Sequence, residues 1–309
     1  MKYLIINLAV LLSLLSNMSS ARELRTGILA GELQVPEEKS RATALIIPGS
    51  GPINRDGDMP GISTSMYRLL AEALAKEGIT SLRIDKRGMY RSAAPGIDAN
   101  AVTLAMYAQD VNRWVNALRK ETEASCVWLL GHSEGSLVAL KATEKPEGLC
   151  GLILISSPGR RVGVLLREQL EKNPANTPLL PQALEAIAEL EAGRRIDVSD
   201  MHPSLLALFS PVVQFYLMDL MQFDPAERIG NIRLPVLIVY GTNDVQISME
   251  DATLLHTAAP ASKLVMLKGM SHVLKIGGPE TYTNPALPLA PTLVPAIVGF
   301  LKSHNALRK

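Results

Sequence analysis

The fold of this chain is decided by the stretch Cys126-Val127-Trp128-Leu129-Leu130-Gly131-His132-Ser133-Glu134-Gly135-Ser136-Leu137-Val138-Ala139-Leu140-Lys141. Its first residues predict a buried strand, and its last residues have the composition of a helix. Between them, Gly131-His132-Ser133-Glu134-Gly135 matches G-x-S-x-G, the sharp strand-to-helix turn called the nucleophile elbow. Such a turn exposes the serine oxygen at the carboxyl edge of a sheet. The stretch therefore predicts Ser133 as a nucleophile.

The five-residue match is weak evidence when it stands alone. With Gly at about 7% of residues, a bare G-x-S-x-G should occur in roughly one chain of this length in ten. The strand before the match and the helix after it make a chance match much rarer. The remaining motifs of the chain lower that chance further.

Composition indicates a globular protein without a charged macromolecular partner. The chain has 309 residues and a formal net charge of +1. This length is compatible with one large α/β domain. A net charge so close to zero gives no indication of nucleic acid or an acidic surface as partner.

The first 21 residues are typical of a signal peptide. Lys2 provides a positive n-region, 4–15 an apolar h-region, and Ser19-Ser20-Ala21 an A-x-A-like cleavage site. A membrane anchor is the alternative, but a span needs about 20 apolar residues and this run is shorter. We expect cleavage after Ala21 and a periplasmic or secreted protein, in a compartment that permits disulfides.

Alternating strands and helices predict an α/β fold with a doubly wound, mostly parallel sheet. We assign this core to 22–159 and 233–309. The predicted strands are 24–35 (a strand or hairpin broken at Gly31), 42–47, 79–84, 127–130, 152–155, 235–240 and 263–267. The predicted helices of the core are 63–77, 101–119, about 248–257 and about 291–302.

The alternation stops between 160 and 232. Helical patterns over 162–172, 181–192 and 204–221 predict a lid inserted above the carboxyl edge of the sheet. A separate domain is the alternative, but the block has no strands of its own. Apolar residues recur too densely over 204–221 for a single packing stripe. We expect Phe209, Phe215 and Tyr216 to line a substrate pocket, with packing alone as the alternative.

The base that activates the serine is predicted by position and elimination. A serine hydroxyl needs a base to take its proton and a third group to orient that base. With a nucleophile elbow these residues follow the chain order Ser, acid, His. Of the five His, only His272 follows the last predicted strand by a short loop. His132 lies inside the elbow and His202 in the predicted lid. His256 lies in a predicted helix and His304 in the tail.

The acid is predicted to be Asp244. It lies in Tyr240-Gly241-Thr242-Asn243-Asp244, directly after the strand 235–240. An ordinary turn aspartate is the alternative, because Asn and Asp after Gly are common in turns. The rival acids are Asp251, Asp219 and Asp224.

Two backbone N–H groups are predicted to form an oxyanion hole. One is the N–H of Glu134, the residue after the nucleophile. The other is expected from Gly49-Ser50-Gly51, most of all from Ser50, because the two glycines let the backbone approach a substrate. A phosphate-binding loop is not supported, since G-x-G-x-x-G fails at Asn54.

The chain resembles the lidded α/β-hydrolases of the serine-aminopeptidase-like (S33-like) esterase group. The similar stretches extend over nearly the whole mature chain. They are Pro48-Gly49-Ser50-Gly51-Pro52 with Arg55-Asp56-Gly57, Asp85-Lys86-Arg87-Gly88, the elbow, Asp224-Pro225-Ala226, Gly241 through Gln246, and Gly269-Met270-Ser271-His272-Val273-Leu274-Lys275. The group includes esterases, lipase-like enzymes, thioesterases and peptidases, so the resemblance leaves the substrate open. Tyr90 departs from the pattern, because the family usually has Gly there.

No cofactor is expected from the sequence. It has no H-E-x-x-H motif, no Cys/His cluster and no run of carboxylates, so no metal is implied. Asp56 and Asp58 are interpreted as turn residues. Lys86-Arg87 and Arg160-Arg161 are interpreted as structural or solvated.

Together these patterns predict an exported serine hydrolase that cleaves small-molecule carboxylic esters through an acyl-enzyme. Ser133 attacks, His272 moves the proton and Asp244 orients His272. The alternatives are an aminopeptidase or thioesterase of the same fold, and a catalytically inert binding protein. For the aminopeptidase, Glu134, Glu168 or Asp219 would bind the substrate ammonium.

Cys126 and Cys150 are the only two cysteines. They begin two strands that should be parallel neighbours about 4.8 Å apart, within reach of a disulfide. Two buried free thiols are the alternative.

Overall fold

A computed structural model describes residues 20–304 of the chain. Within that range, eight strands form one sheet. The strands are β1 (Ser20–Thr26), β2 (Leu29–Val35), β3 (Ala42–Ile47), β4 (Ile79–Ile84), β5 (Val127–His132), β6 (Leu149–Ile155), β7 (Val236–Gly241) and β8 (Lys263–Leu267). The α-helices are α1 (Met66–Lys76), α2 (Leu104–Thr122), α3 (Glu134–Ala142), α4 (Val162–Lys172), α5 (Leu180–Glu191), α6 (Pro203–Phe209), α7 (Pro211–Met221), α8 (Pro225–Gly230), α9 (Met249–Ala258) and α10 (Leu293–Ser303).

The sheet is mostly parallel and doubly wound, which confirms the predicted fold class. Its strand order is β1-β2-β4-β3-β5-β6-β7-β8, and only the pairs β1–β2 and β2–β4 are antiparallel. A core containing residues of α2, α3 and α9 covers one face, and a core containing residues of α1 and α10 covers the other. Every residue of β5 is buried, as expected for a strand covered on both faces.

The amino-terminal segment corrects one prediction. The chain turns at Gly27, whose φ is +59°, and not at Gly31, which lies inside β2. A Cβ on Gly31 would lie 2.9 Å from Leu82 Cδ1, so this glycine permits close packing against β4. Most of the predicted signal peptide, 1–19, lies outside the described residues. The cleavage predicted after Ala21 would remove two residues of β1.

Helices α4 to α8 occupy the segment predicted as a lid. The predicted single helix over 204–221 is wrong, because α6 and α7 are separate and meet at a 54° bend. Pro211 causes the break: proline lacks an N–H, and its ring disfavours helical geometry in the residue before it. Within residues 20–304, only this bent pair has the length and apolar composition of a membrane span, and no single helix does.

The two cysteines are joined as a disulfide. Their Cα atoms are 5.2 Å apart, and 24 positions separate them in sequence. Cys126 directly precedes β5, and Cys150 lies in β6, the parallel neighbour of β5. Of the two alternatives left open by the sequence, the structure therefore has the bridge. By loop closure, a bridge of this span stabilises the folded chain by about 3 kcal/mol.

Candidate active site

Ser133 lies at the tip of a strained turn between β5 and α3. Its φ is 54° and its ψ is −126°, a combination that non-glycine residues rarely adopt and that is typical of functional sites. The flanking glycines are required by close packing, not by positive φ. A Cβ on Gly135 would lie 2.2 Å from the Ile47 carbonyl oxygen, and one on Gly131 would lie 2.5 Å from the Gly135 carbonyl oxygen.

His272 and Asp244 are brought together by the loops after β8 and β7. The Nδ1 of His272 lies 2.9 Å from Oδ2 and 3.1 Å from Oδ1 of Asp244. The N–H groups of Gln246 and Ile247 donate to Asp244 Oδ1 at 2.9 and 3.0 Å. Burial raises the pKa of this carboxyl, but His272 and these contacts outweigh it and hold the pKa below its usual value. An ionised Asp244 thus faces the ring of His272.

The same side chains lie beside the candidate nucleophile. Ser133 and His272 both line a small cavity of about 110 Å³. His132, the residue before the serine, has its ring centroid 4.8 Å from that of His272. The structure therefore gathers Ser133, Asp244 and His272 at the carboxyl ends of β5, β7 and β8, which lie on the same edge of the sheet.

The rival acids are occupied elsewhere. Asp251 is fully buried and accepts hydrogen bonds from the side chain of Arg160 and the N–H of Gly159. The carboxylate of Asp219 accepts from the N–H of Leu104, at the first residue of α2. Asp224 caps the N-terminus of α8. Each of these carboxylates supports the fold.

His132 belongs to a buried hydrogen-bond chain that sequence reasoning missed. Its Nε2 donates to the carbonyl of His272 at 2.8 Å, since a carbonyl only accepts. Its Nδ1 therefore accepts from the hydroxyl of Tyr67, also at 2.8 Å. Burial and the neighbouring His272 lower the pKa of His132 to about 3. This ring stays neutral at ordinary pH and connects the elbow to the backbone of His272.

The two N–H groups predicted as oxyanion donors are free in the described part of the chain. Neither Ser50 nor Glu134 donates its N–H to another described residue. The N–H of Gly49 is taken, because it donates to the Tyr67 hydroxyl at 2.9 Å. A Cβ on Gly49 would lie 3.2 Å from Ser133 Cβ, so this loop runs directly past the nucleophile.

A larger, mostly apolar cavity of about 400 Å³ also borders Ser133. Its walls combine core residues with residues of α4, α6 and α7, which belong to the segment predicted as a lid. Of the predicted pocket residues, Tyr216 lines this cavity. Phe209 does not, because it is fully buried in a core internal to the lid. Phe215 does not either, since 53% of its surface is exposed on the outer face of α7.

Two sequence comparisons identify similar proteins. A sequence model of the family described as serine aminopeptidase, S33, matches residues 61–190. Esterase EstD of Thermotoga maritima is 26% identical over 225 residues, covering 72% of this chain and 52% of the relative. The chain thus spans about half the length of that curated relative.

Solved structures share the fold. The α/β-hydrolase GrgF of a Penicillium species has a TM-score of 0.59 and 20% identity, covering 93% of this chain and 99% of its own. A proline iminopeptidase of Mycobacterium smegmatis has a TM-score of 0.58 and 17% identity, with the same coverage of both chains. This chain has the α/β-hydrolase fold. Its resemblance to the serine-aminopeptidase-like esterase group is confirmed.

The side chains of the motif Asp85-Lys86-Arg87-Gly88 connect the loop after β3 with helix α2. The Asp85 carboxylate accepts from the Arg55 side chain at 2.9 Å, and the Arg87 side chain donates to Asp110 in α2 at 2.9 Å. Lys86 is not solvated: only 6% of it is exposed. Its Nζ donates to the Gly49 carbonyl at 2.7 Å and lies 3.8 Å from Glu134 Oε1.

Tyr90, which stands where the family usually has Gly, has a strained backbone conformation. Its φ is +46°, in the left-handed region where Gly is the usual residue. The Tyr90 hydroxyl donates to the carbonyl of Pro52. The chain therefore has a strained backbone at Tyr90, whose side chain is hydrogen-bonded to the loop that carries Ser50.

Several other charged residues make structural contacts. Asp56 accepts from the Arg83 side chain, and Asp58 accepts from the N–H groups of Thr64 and Ser65. Arg160 pairs with Asp251 and Glu168. Among residues 20–304, no group of three or more His, Cys, Asp or Glu side chains could hold a metal ion.

Proposed function

We propose that this hydrolase is an exported serine esterase that cleaves carboxylic esters through an acyl-enzyme. The observation that carries the proposal is the hydrogen-bonded pair His272 and Asp244 beside the strained Ser133. A base oriented by an acid next to a serine on an elbow is the arrangement that activates a hydroxyl nucleophile.

Each side chain has one role in the proposed reaction. His272 takes the proton of the Ser133 hydroxyl as its oxygen attacks the ester carbonyl, and Asp244 stabilises the imidazolium that forms. The negative charge on the former carbonyl oxygen is held by the N–H groups of Ser50 and Glu134. His272 then gives the proton to the leaving alcohol, and a water molecule activated by His272 releases the acid.

A peptidase acting on a free amino terminus is the second candidate, favoured by the family description and by the iminopeptidase fold relative. It needs an unpaired carboxylate to bind an ammonium group. Among the described residues, the one carboxylate lining the large cavity is Glu134, which Lys86 faces at 3.8 Å. Glu168 is paired with Arg160 and Lys172, and Asp219 caps α2. These pairings favour the esterase.

Export is proposed from two features. The amino-terminal 21 residues have the pattern of a signal peptide. The bridge between Cys126 and Cys150 is the kind of bond that persists in oxidising compartments. Both support a periplasmic or secreted protein.

Covalent labelling tests the proposed function. A fluorophosphonate probe should label Ser133 in the folded protein, and prior heating should abolish the labelling. Turnover of p-nitrophenyl esters should then exceed that of matched aminoacyl anilides by at least about 10-fold. A protein that stays unlabelled would be an inert binding module, and preference for the anilides would establish the peptidase. Matched thioesters should be added to the same panel, since preference for them would establish a thioesterase.

The lid residue Tyr216 should set acyl-chain preference. Tyr216→Ala enlarges the cavity at α7, so activity on longer p-nitrophenyl esters should change at least about 3-fold relative to the acetate. Phe215→Ala is the matched control, because Phe215 is its neighbour and points to solvent; its chain-length profile should equal that of the parent. Equal losses on every ester in Tyr216→Ala would mean that the lid packing had collapsed.

A further inference from the structure

Lys86 is a charged side chain buried at the site without a role in the proposed reaction steps. Its ammonium group contacts the Gly49 carbonyl at 2.7 Å and faces Glu134 at 3.8 Å, and it lies 5.8 Å from the centre of the Tyr107 ring. Burial lowers the pKa of Lys86, and Glu134 acts in the opposite direction. Burying an ammonium group is costly, and an apolar side chain of similar length would avoid that cost.

The contact with Gly49 bears on a specific peptide bond. The carbonyl of Gly49 and the N–H of Ser50 belong to the same peptide unit, which is planar and trans. In a trans peptide these two groups point in opposite directions. A cation bonded to the carbonyl on one side therefore aims the Ser50 N–H away from Lys86.

The other side of Gly49 is held as well. Its N–H donates to the Tyr67 hydroxyl, which in turn donates to His132. Gly49 therefore has both backbone groups engaged, while the next N–H along the chain, that of Ser50, has no partner among the described residues. Ser50, Ser133 and Lys86 all line the large cavity.

We propose that Lys86 is a positioning residue for the oxyanion hole. Its ammonium group orients the Gly49–Ser50 peptide and polarises it, which makes the Ser50 N–H a stronger donor to the developing oxyanion. Lys86 acts through this peptide and does not touch the substrate carbonyl. This inference rests on the proposed serine-esterase function.

The test replaces Lys86 by Met, which keeps the length of the side chain and removes its charge. Loss of one oxyanion donor costs about 10²–10³ in kcat; a donor that remains but is misaimed should cost about 10- to 100-fold, with KM changed less than about 3-fold. Lys120→Met is the matched control, since Lys120 is exposed on α2, and it should behave as the parent.

A transition-state analogue separates this role from a structural one. A trifluoromethyl ketone forms an adduct with Ser133 that places an oxyanion at the site, whereas the parent methyl ketone binds without one. The substitution Lys86→Met should weaken binding of the trifluoromethyl ketone by about the same factor by which it lowers kcat/KM. Binding of the methyl ketone should stay within about 3-fold of its value for the parent enzyme. Equal weakening of both ketones would overturn the proposal.

A double variant tests whether Lys86 acts only by neutralising the charge of Glu134. Lys86→Met leaves the Glu134 carboxylate buried and unpaired, and adding Glu134→Gln removes that charge. If Lys86 positions the oxyanion donor, the double variant stays as slow as Lys86→Met. Recovery of parental kcat in the double variant would overturn the proposal. The proposed function fails in a different way, because the parent itself would then form no adduct at Ser133.

Discussion

Replacing Ser133 by Ala should lower kcat on p-nitrophenyl esters by about four to six orders of magnitude, because the members of a serine triad act as a unit. The fold should be unchanged, since the small Ala side chain fits wherever Ser does. Circular dichroism and the thermal midpoint should match the parent. Residual activity above about 1% of the parent would mean that Ser133 is not the nucleophile.

Activity should also depend on His272 and Asp244, the predicted partners of Ser133. The kcat of His272→Ala should fall almost as far as that of Ser133→Ala. The kcat of Asp244→Asn should fall somewhat less, because Asn removes the charge of Asp244 but keeps its shape. His256→Ala and Asp224→Asn are the controls, as His256 bonds Ser262 and Asp224 caps α8. An Asp244→Asn variant as active as the parent would refute the acid assignment.

Replacing Gly135 by Ala should destabilise the protein by about 3 kcal/mol or more and abolish activity. The new Cβ would lie 2.2 Å from the carbonyl oxygen of Ile47 and 2.7 Å from that of Pro48. Both contacts are with backbone atoms, so β3 or α3 must move, and Ser133 lies at the start of α3. Denaturant unfolding measures the loss of stability, and labelling by a fluorophosphonate measures the loss of the site.

The matched control for this substitution is Gly299→Ala. Gly299 lies in the interior of α10, and a Cβ there would meet nothing within 4 Å. Alanine in an open helical position should stabilise the chain by about 0.5–1 kcal/mol relative to glycine. A Gly135→Ala variant with parental stability and activity would contradict the steric account of the elbow.

The predictions that rest on local patterns agree with the structure. Buried strands such as 42–47 and 79–84, and the helix 162–172, have the predicted bounds, because apolar runs and helical spacing are local properties of the chain. The elbow is likewise local, since its glycines and serine are contiguous. The strands next to the elbow in the sheet are distant from it in sequence, yet the strand order of a doubly wound sheet still predicts them.

Predictions about lid side chains depended on information that the local pattern lacks. Phe209 and Phe215 are as apolar as Tyr216, but one is buried in the lid core and the other is exposed. Apolar residues recur over 204–221 too densely to mark one face, and the pattern did not include the 54° bend between α6 and α7. Hydrophobicity indicates burial without indicating against which surface.

The sequence is sufficient to predict the mostly parallel sheet and the sharp turn at Ser133, because both follow from contiguous motifs and from the alternation of strands and helices. From the order of the strands it also predicts His272 and Asp244 as the partners of Ser133. Which groups these residues contact is visible only in the tertiary structure. The bond from Lys86 to Gly49 joins positions 37 residues apart, and the bond from His132 to the His272 carbonyl joins positions 140 apart. Such contacts exist only once the sheet has placed the ends of its strands along one edge, and no local pattern encodes that distance.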